Sequence, residues 1–387
     1  MTPEAERPFA ELPAGLVEEL LERSGTLSHR VGEELRALRA ARQERRQALR
    51  ESGLLQREGD LPEVPIPTTC GVDGAYAVER LIAMDLVAAV AVAVEGLTPP
   101  SEARHWPEPQ HRVHVKDERH EEETGTLARA VMIGMELELA VQAPHDVVFL
   151  DGSLTTPLIY FNQAMNRARE AQDLNLTSFL LENVERYLLA YRDILRAQRT
   201  DRAWAAVPKY SVRREIGRQL GWPERLDDRA LLTGLLEPGE FTAPRPLEPP
   251  RQPWHLQLKP LLKLLPDPIR PGVEKLRDEI LSLLNEIQVA YYRPRAWLPA
   301  IRLEMSSSIA GNKARLASVI QALRSQSAAP GILEPYPIYL ADRMVKHLGR
   351  AIPALRQVMT QQLAETWTGD VDEIFLNLHG YRTESGR

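Results

Sequence analysis

Val147-Val148-Phe149-Leu150-Asp151-Gly152-Ser153-Leu154 is the stretch that decides the fold, because it joins an apolar run directly to a polar turn. The apolar part is too short for a helix and is typical of a buried strand. Glycine tolerates backbone angles that a β-carbon forbids, so Gly152 permits a sharp turn at once. We therefore expect the carboxylate of Asp151 at the end of a strand.

A second Asp-Gly pair lies upstream in Cys70-Gly71-Val72-Asp73-Gly74-Ala75-Tyr76. Two aspartates at strand ends would meet at one edge of a sheet. Adjacent carboxylates repel each other and are costly to desolvate, so such a pair usually needs cations. Asp-Gly is also an ordinary turn dipeptide, so either motif alone leaves both interpretations open.

Length and composition limit the class of protein. The chain has 387 residues, with 43% hydrophobic and 26% charged residues, as in a soluble globular protein of one or two domains. Its net charge of -6 gives no general attraction to nucleic acid, so a DNA site would need a local basic patch. The single cysteine, Cys70, excludes an intramolecular disulfide and favours the cytoplasm. No apolar run is long enough to span a membrane.

Three segments are expected along the chain. Residues 1–60 form a helical segment, with leucines and valines at helical spacing between Leu16 and Leu54. Residues 69–349 hold the main domain, and 350–387 a helix and a loose tail. In the main domain Thr69–Glu79 is a strand, whereas Leu81–Gly96 fits a strand or a buried helix, and its alternating valines favour a strand.

Thr124–Ala143 is predicted as a helix with an apolar stripe. Glu136 lies beside that stripe, where a carboxylate either flanks the buried face or needs a partner such as a cation. Glu138 projects about 200° away around the helix axis, so we expect it in solvent.

The next segments alternate between helices, strands and a proline-rich excursion. Residues 156–200 are predicted as a pair of helices that project from the sheet, and 237–271 as an irregular excursion. Trp204–Val207 is a short strand, followed by Lys209, which is either a phosphate contact or a plain surface lysine. Residues 288–304 fit a hairpin. Pro337 fits the first turn of a helix that would carry Asp342.

The ordered set of these motifs resembles the NurA family of DNA-end-processing nucleases. The matching segments are Val72-Asp73-Gly74, Met135-Glu136-Leu137-Glu138-Leu139-Ala140, Asp151-Gly152-Ser153-Leu154, Lys209-Tyr210-Ser211, Tyr291-Tyr292-Arg293, Ile301-Arg302-Leu303-Glu304, Tyr336-Pro337 and Leu340-Ala341-Asp342. Each matching segment is short and weakly specific for the family, whereas the order of the segments along the chain is much more specific. The resemblance implies an α/β fold with an RNase H-like mixed sheet flanked by helices and interrupted by helical insertions.

The resemblance also implies a function. Such a protein would be a deoxyribonuclease that processes single- and double-stranded DNA ends in recombinational repair. Its acidic residues would hold two divalent cations, Mn²⁺ or Mg²⁺. It would form a homodimer and work with HerA, a hexameric DNA translocase.

One departure from the family concerns Asp342. Many members carry a histidine near this point of the Tyr-Pro segment, whereas this chain has aspartate. Aspartate offers oxygen ligands to a hard cation, but it leaves open any acid–base role of the histidine. His347 is nearby in sequence but projects about 140° further around a helix, so we rank it second.

We assign the site residues as follows. Asp73 bridges two cations, Asp151 and Glu136 complete one cation site, and Asp342 completes the other. Lys209 holds the scissile phosphate. Glu138 and Glu123 remain alternatives to Glu136. An oxygen-only set of ligands suits Mn²⁺ or Mg²⁺ better than zinc.

Two other functions remain open. One is a catalytically inactive dimeric adaptor that docks on a DNA translocase. The other is an actin-like ATPase, but the chain lacks the paired glycine-rich phosphate loops of that class.

Whether the protein is a nuclease or an adaptor, we expect a second copy of the chain to cover the apolar helices in residues 16–54 and around Phe179 to Leu181. Four arginines are expected to line a DNA channel: Arg213, Arg214, Arg293 and Arg302.

Overall fold

A computed structural model describes residues 9, 12–222 and 226–386. Eleven strands of these residues form one mixed sheet with helices packed on it, which confirms the predicted α/β class. The strands are β1 (Leu55–Arg57), β2 (Thr69–Leu81), β3 (Asp85–Glu95), β4 (Gln110–Glu118), β5 (Val147–Asp151), β6 (Ala203–Val207), β7 (Glu240–Thr242), β8 (Arg245–Pro246), β9 (Gln288–Arg293), β10 (Ile301–Met305) and β11 (Gly380–Gly386). The α-helices are α1 (Ala14–Ala40), α2 (Arg42–Glu51), α3 (Thr124–Gln142), α4 (Thr156–Arg167), α5 (Asn175–Arg196), α6 (Glu215–Gln219), α7 (Asp228–Leu235), α8 (Lys259–Leu262), α9 (Arg270–Leu284), α10 (Ser307–Ala310), α11 (Lys313–Gln326), α12 (Tyr336–Lys346), α13 (Leu348–Thr366) and α14 (Val371–Asn377).

The middle of the sheet is parallel and its flanks are antiparallel. The strand order is β1-β7-β9-β10-β6-β5-β2-β3-β4, with β5 parallel to both β2 and β6. The predicted hairpin is present as β9 and β10, and the ambiguous Leu81–Gly96 segment forms β3. Strands buried on both faces carry near-continuous apolar runs, which explains why alternation was weak in β5 and β6.

Strand β2 shares one of its edges between two partner strands. On that edge β5 pairs with Thr69 to Val72, and β11 pairs antiparallel with Tyr76 to Leu81. On the other edge β3 pairs with β2 from Cys70 to Arg80. The position of Asp73 at a strand end is therefore a wrong prediction. The antiparallel ladder with β3 continues β2 past Asp73, while the shorter β5 stops at Asp151.

The structure also corrects the sequence prediction for the last part of the chain. A loose tail was expected there, but Val371–Asn377 forms a helix and Gly380–Gly386 adds a strand to the sheet. The apolar side chains of Ile374 and Leu378 are buried against β2 and β3. Burial of this apolar surface is what holds the segment in place.

The helices of residues 156–200 cover α3, so the prediction that they project from the sheet is wrong. Gly134 of α3 permits the close packing, because a β-carbon there would lie 2.2 Å from Cδ2 of Tyr187 on α5. Leu180 is fully buried, and Phe179 and Leu181 are packed at the margin of the core. These residues therefore do not form the exposed apolar surface that we expected around them.

The N-terminal segment differs from the helices that cover the sheet. Helix α1 has no buried residue, and the exposed fraction of its large apolar residues reaches 60% at Leu35. The proline-rich excursion is more regular than expected, because it adds β7 and β8 to the sheet and buries Leu258 and Leu261. None of the described helices combines the length and the apolar character that crossing a bilayer requires.

Candidate active site

Three aspartates from distant parts of the chain meet at the discontinuous edge of β2. One carboxylate oxygen each of Asp73, Asp151 and Asp342 lies within 4.8 Å of the other two. The parallel register pairs Val72 with Leu150, so the next residues, Asp73 and Asp151, lie side by side. The structure thus brings together three of the four carboxylates that the sequence suggested as metal ligands.

Gly71 explains how α12 brings Asp342 to this point. A β-carbon on Gly71 would lie 2.5 Å from the backbone nitrogen of Ile338, so only glycine allows α12 to cross β2 this closely. Asp342 lies one helical turn after Ile338 and is buried. The absence of a side chain at Gly71 therefore permits the short distance between the helix and the strand that carry the carboxylates.

Each Asp-Gly pair fixes its own carboxylate. Oδ1 of Asp73 accepts a hydrogen bond from the N–H of Gly74 at 2.7 Å, and Oδ1 of Asp151 does the same with Gly152 at 2.7 Å. Gly152 has a φ of 85°, a left-handed conformation that other residues rarely adopt. Both aspartates are consequently oriented by the residue that follows them.

Two lysines lie among these carboxylates. Nζ of Lys209 is 2.9 Å from Oδ2 of Asp151 and 3.0 Å from Oδ1 of Asp342. Nζ of Lys346, one turn further along α12, is 2.6 Å from Oδ2 of Asp342. Burial raises the pKa of Asp342, but hydrogen bonds from the two lysines outweigh it and hold that pKa below its ordinary value. Asp342 is therefore ionised at neutral pH.

Glu334 is a site residue that the sequence analysis missed. Its Oε2 lies 3.0 Å from Nζ of Lys209, and its side chain is 15% exposed. Burial, together with the charges of Asp151 and Asp342, raises the pKa of Glu334, although Lys209 opposes the shift. Glu334 stands in a loop before α12, where periodicity gives no signal, and only its proximity to the Tyr-Pro segment marks it.

Glu136 lies beside Gly74, the residue that follows Asp73, but it is not one of the three converging carboxylates. It is buried, and its Oε1 would be 2.4 Å from a β-carbon at Gly74. Glu138, expected in solvent, instead pairs with Arg186 on α5 at 2.9 Å and is mostly covered. Glu123 pairs with Arg167 at 3.3 Å. Among the three glutamates considered, Glu136 is the one directed to the strand that carries Asp73.

The donor set suits a hard divalent cation. The three converging groups are all carboxylates, which Mg²⁺ and Mn²⁺ prefer over softer ligands. Asp73 and Asp342 also line a cavity of 190 Å³ together with Lys346 and Ser385. The cavity gives solvent and small ligands access to the cluster from the side of β11.

Two of the four arginines expected to line a DNA channel, Arg302 and Arg293, make contacts within the protein instead. Arg302 is fully buried and donates to Glu215 at 2.8 and 2.9 Å and to Glu304 at 2.9 Å. Arg293 donates to three backbone carbonyls, those of Leu236, Ala296 and Leu298. The prediction that Arg302 lines a DNA channel is therefore wrong, because its charge is already neutralised inside the protein.

The Arg302 cluster supports the loop that follows Asp151. Glu304, held by Arg302, accepts hydrogen bonds from the hydroxyl of Ser153 at 2.6 Å and from the N–H of Leu154 at 2.9 Å. Burial lowers the pKa of Arg302, but Glu215 and Glu304 outweigh it and raise that pKa above its ordinary value. The turn that presents Asp151 is thus fixed by a charged network that includes Arg302 and Glu304 of β10, the strand on the far side of β6.

Solved structures of NurA share this fold. The NurA nuclease from Sulfolobus solfataricus is 14% identical, with 92% of this chain and 99% of that chain covered and a TM-score of 0.58. A NurA crystallised with manganese is 13% identical, with 90% and 99% covered and a TM-score of 0.51. A further NurA structure is 14% identical, with 92% and 99% covered and a TM-score of 0.50. No curated protein matches the sequence.

The fold is therefore that of NurA structures, and the sequence gives the family independently. The NurA domain profile matches residues 67–347, which is most of the chain. The chain belongs to the NurA family, a family of nucleases, which confirms the resemblance drawn from the ordered motifs.

Proposed function

We propose that this chain is a metal-dependent deoxyribonuclease and that the aspartate cluster is its active site. The observation that carries the proposal is the convergence of Asp73, Asp151 and Asp342 within 4.8 Å in a chain of the NurA family. Carboxylates so close together repel one another unless cations neutralise them. Family membership and cluster geometry thus support the same chemistry.

The residues would divide the work as follows. Asp73 would contact both cations, Asp151 and Glu136 would complete one site, and Asp342 the other. Lys209 would bind the scissile phosphate and offset its developing charge. When bound, a pair of Mn²⁺ or Mg²⁺ ions would supply Lewis acidity to activate water and to stabilise the leaving oxygen. The manganese in a solved NurA of the same fold supports the choice of metal.

The biological setting follows from the family resemblance. We propose DNA ends as the substrate, recombinational repair as the process and a HerA-type hexameric translocase as the partner. The phosphate backbone needs cations, and the exposed Lys346 beside Asp342 would provide one at the mouth of the cavity.

A homodimer is the assembly that the exposed apolar side chains support. Leu16, Leu20, Leu27 and Leu35 on α1 are each more than two-fifths exposed, and apolar stripes of this kind usually mark interfaces. Light scattering at micromolar concentration should report twice the chain mass, 43.7 kDa per copy. A Leu20→Ser/Leu35→Ser variant should become monomeric, and a wild-type monomer would contradict the homodimer.

The decisive experiment is cleavage of end-labelled DNA with Mn²⁺, with Mg²⁺ and with a chelator. Wild-type protein should release nucleotides with either metal and none with chelator, and Asp151→Asn should be inactive. Asp201→Asn is the matched control, because that aspartate is 60% exposed and pairs with Arg199, which is 55% exposed. Absence of cleavage by a folded dimer would favour the adaptor, and DNA-independent ATP turnover would favour the ATPase.

A further inference from the structure

We propose that Glu334 is a positioning residue that holds Lys209 beside the aspartate cluster and leaves the aspartates available to cations. The inference rests on the proposed function, because it assigns the aspartates to metal. It adds to that function a residue that the family motifs in this sequence did not indicate.

The ammonium group of Lys209 contacts more than one carboxylate. A lysine has three N–H donors and no acceptor. Nζ of Lys209 has three carboxylate partners, at 2.9 Å for Asp151, 3.0 Å for Glu334 and 3.0 Å for Asp342. The charge of this ammonium group is therefore shared by three carboxylates, and Glu334 is one of them.

The three partners differ in what else they do. Asp151 and Asp342 belong to the group of oxygens that converge within 4.8 Å, whereas Glu334 does not. A cation bound by the aspartates repels the ammonium group and competes for the same oxygens. Glu334 then keeps Lys209 near the site, because this ion pair does not occupy any aspartate oxygen that the metal needs.

The backbone around Glu334 makes it suited to this role. It precedes Pro335, which restricts the conformation of the residue before it. Pro335 also stands at the start of α12, the helix that carries Asp342. On the other side, the carbonyl of Lys209 accepts a hydrogen bond from Arg229. Glu334 is thus anchored to the helix that carries Asp342, and the backbone of Lys209 is anchored to Arg229 of α7.

A consequence for metal affinity distinguishes positioning from direct ligation. Without Glu334, the partners that remain for the ammonium of Lys209 among the described carboxylates are Asp151 and Asp342, so it competes more strongly with a cation. Glu334→Gln should therefore weaken Mn²⁺ binding by about 10-fold, the size usual for residues behind metal ligands. Lys209→Ala should strengthen binding, and adding Glu334→Gln to it should change nothing further.

The test is calorimetric titration of Mn²⁺ into the full chain, without DNA, for wild type, Glu334→Gln, Lys209→Ala and the double variant. Glu286→Gln is the matched control, because the carboxylate of that glutamate accepts a hydrogen bond from Ser307 on the surface. Thermal melts verify that each variant is folded, and Glu334→Ala serves as the second substitution. The expected result is a strongly non-additive cycle, with the effect of Glu334 present only when Lys209 is present.

The possible outcomes separate the two proposals. Equal loss of affinity with and without Lys209 would make Glu334 a metal ligand and overturn the positioning role. Unchanged affinity in Glu334→Gln would also overturn it. In both cases wild type still binds Mn²⁺, so the proposed function stands. Failure of wild type to bind Mn²⁺ would overturn the proposed function and the positioning role together.

Discussion

Two buried charged clusters lie close together in this fold, one around Asp73 and one around Arg302. In the first, three aspartates and Glu334 face two lysines, Lys209 and Lys346. In the second, one arginine is enclosed by Glu215 and Glu304, with additional donors from the loop after Asp151. The first cluster borders a cavity, whereas Arg302 is fully buried.

The comparison shows how the geometry of the positively charged side chain, arginine or lysine, affects the role of each cluster. The planar guanidinium of Arg302 presents its donors in a fixed fork, so two carboxylates are satisfied at once and the cluster is complete. Lysine is a point charge on a flexible stem and can leave its partners. The Arg302 cluster therefore serves folding, while the aspartate cluster is suited to exchanging its cations.

The largest expected effect is on activity, from removal of Asp73. Asp73→Ala should lower Mn²⁺-dependent DNA cleavage by more than about 100-fold, since even residues behind metal ligands cost 10- to 100-fold. The melting temperature should not fall, because the substitution relieves repulsion among the aspartates. Cleavage assays and thermal melts check both parts, and native activity in this variant would refute the assignment.

The next effect is on stability, from removal of Arg302. Arg302→Met leaves Glu215 and Glu304 buried without their cation, so the free energy of unfolding should fall by about 3–5 kcal/mol. Urea denaturation measures it. Arg199→Ala is the control, because that arginine and its partner Asp201 are both more than half exposed, and the loss should stay below about 1 kcal/mol. Similar losses in the two variants would remove the distinction between the buried and exposed pairs.

A smaller effect tests how tightly α3 is packed against β2 next to Asp73. In Gly74→Ala the new β-carbon would lie 2.4 Å from Oε1 of Glu136 and 2.9 Å from the carbonyl oxygen of Val90. We expect a loss of about 1–3 kcal/mol in unfolding free energy, as for other overpacked cores. Gly25→Ala on α1 meets nothing within 4 Å and should instead stabilise the helix by up to about 1 kcal/mol. Urea denaturation compares the two, and a neutral Gly74→Ala would show that Glu136 is free to move.

The smallest effect is the pH dependence of the Arg302 cluster. Burial raises the pKa of Glu215, but Arg302 outweighs it and lowers that pKa below its ordinary value of 4.5. The stabilisation is therefore present above pH 4.5 and is lost as pH falls through the lower folded value. Glu215→Gln should flatten the acid limb of stability measured by urea denaturation between pH 5 and pH 3. An unchanged slope would place the acid sensitivity in other carboxylates.

The sequence was informative where the chemistry is local. The Val147–Asp151 strand and its turn could be predicted from four apolar residues followed by Asp-Gly. Helix α3 could be predicted from its apolar stripe. The same local reasoning misplaced Asp73, because the length of β2 depends on its pairing with β3 and β11, which no local pattern encodes.

Charged residues were the hardest to interpret. Arg302 looked like a contact for DNA because its buried partner Glu215 lies 87 residues away in the sequence. Glu334 carried no pattern at all, since its importance depends on Lys209, which approaches only in the folded chain. Long-range ion pairs of this kind are set by tertiary structure, so a single sequence predicts the residue types of a site better than their roles.

The order of the aspartates along the chain has a consequence for synthesis. Asp73 and Asp151 come early, whereas Asp342 comes on α12 near the end of the NurA domain. A growing chain on the ribosome therefore holds two of the three carboxylates long before the third is made. If the cluster is the nuclease site, an unfinished chain cannot assemble it, and DNA in the cell meets the cutting activity only once translation has passed α12.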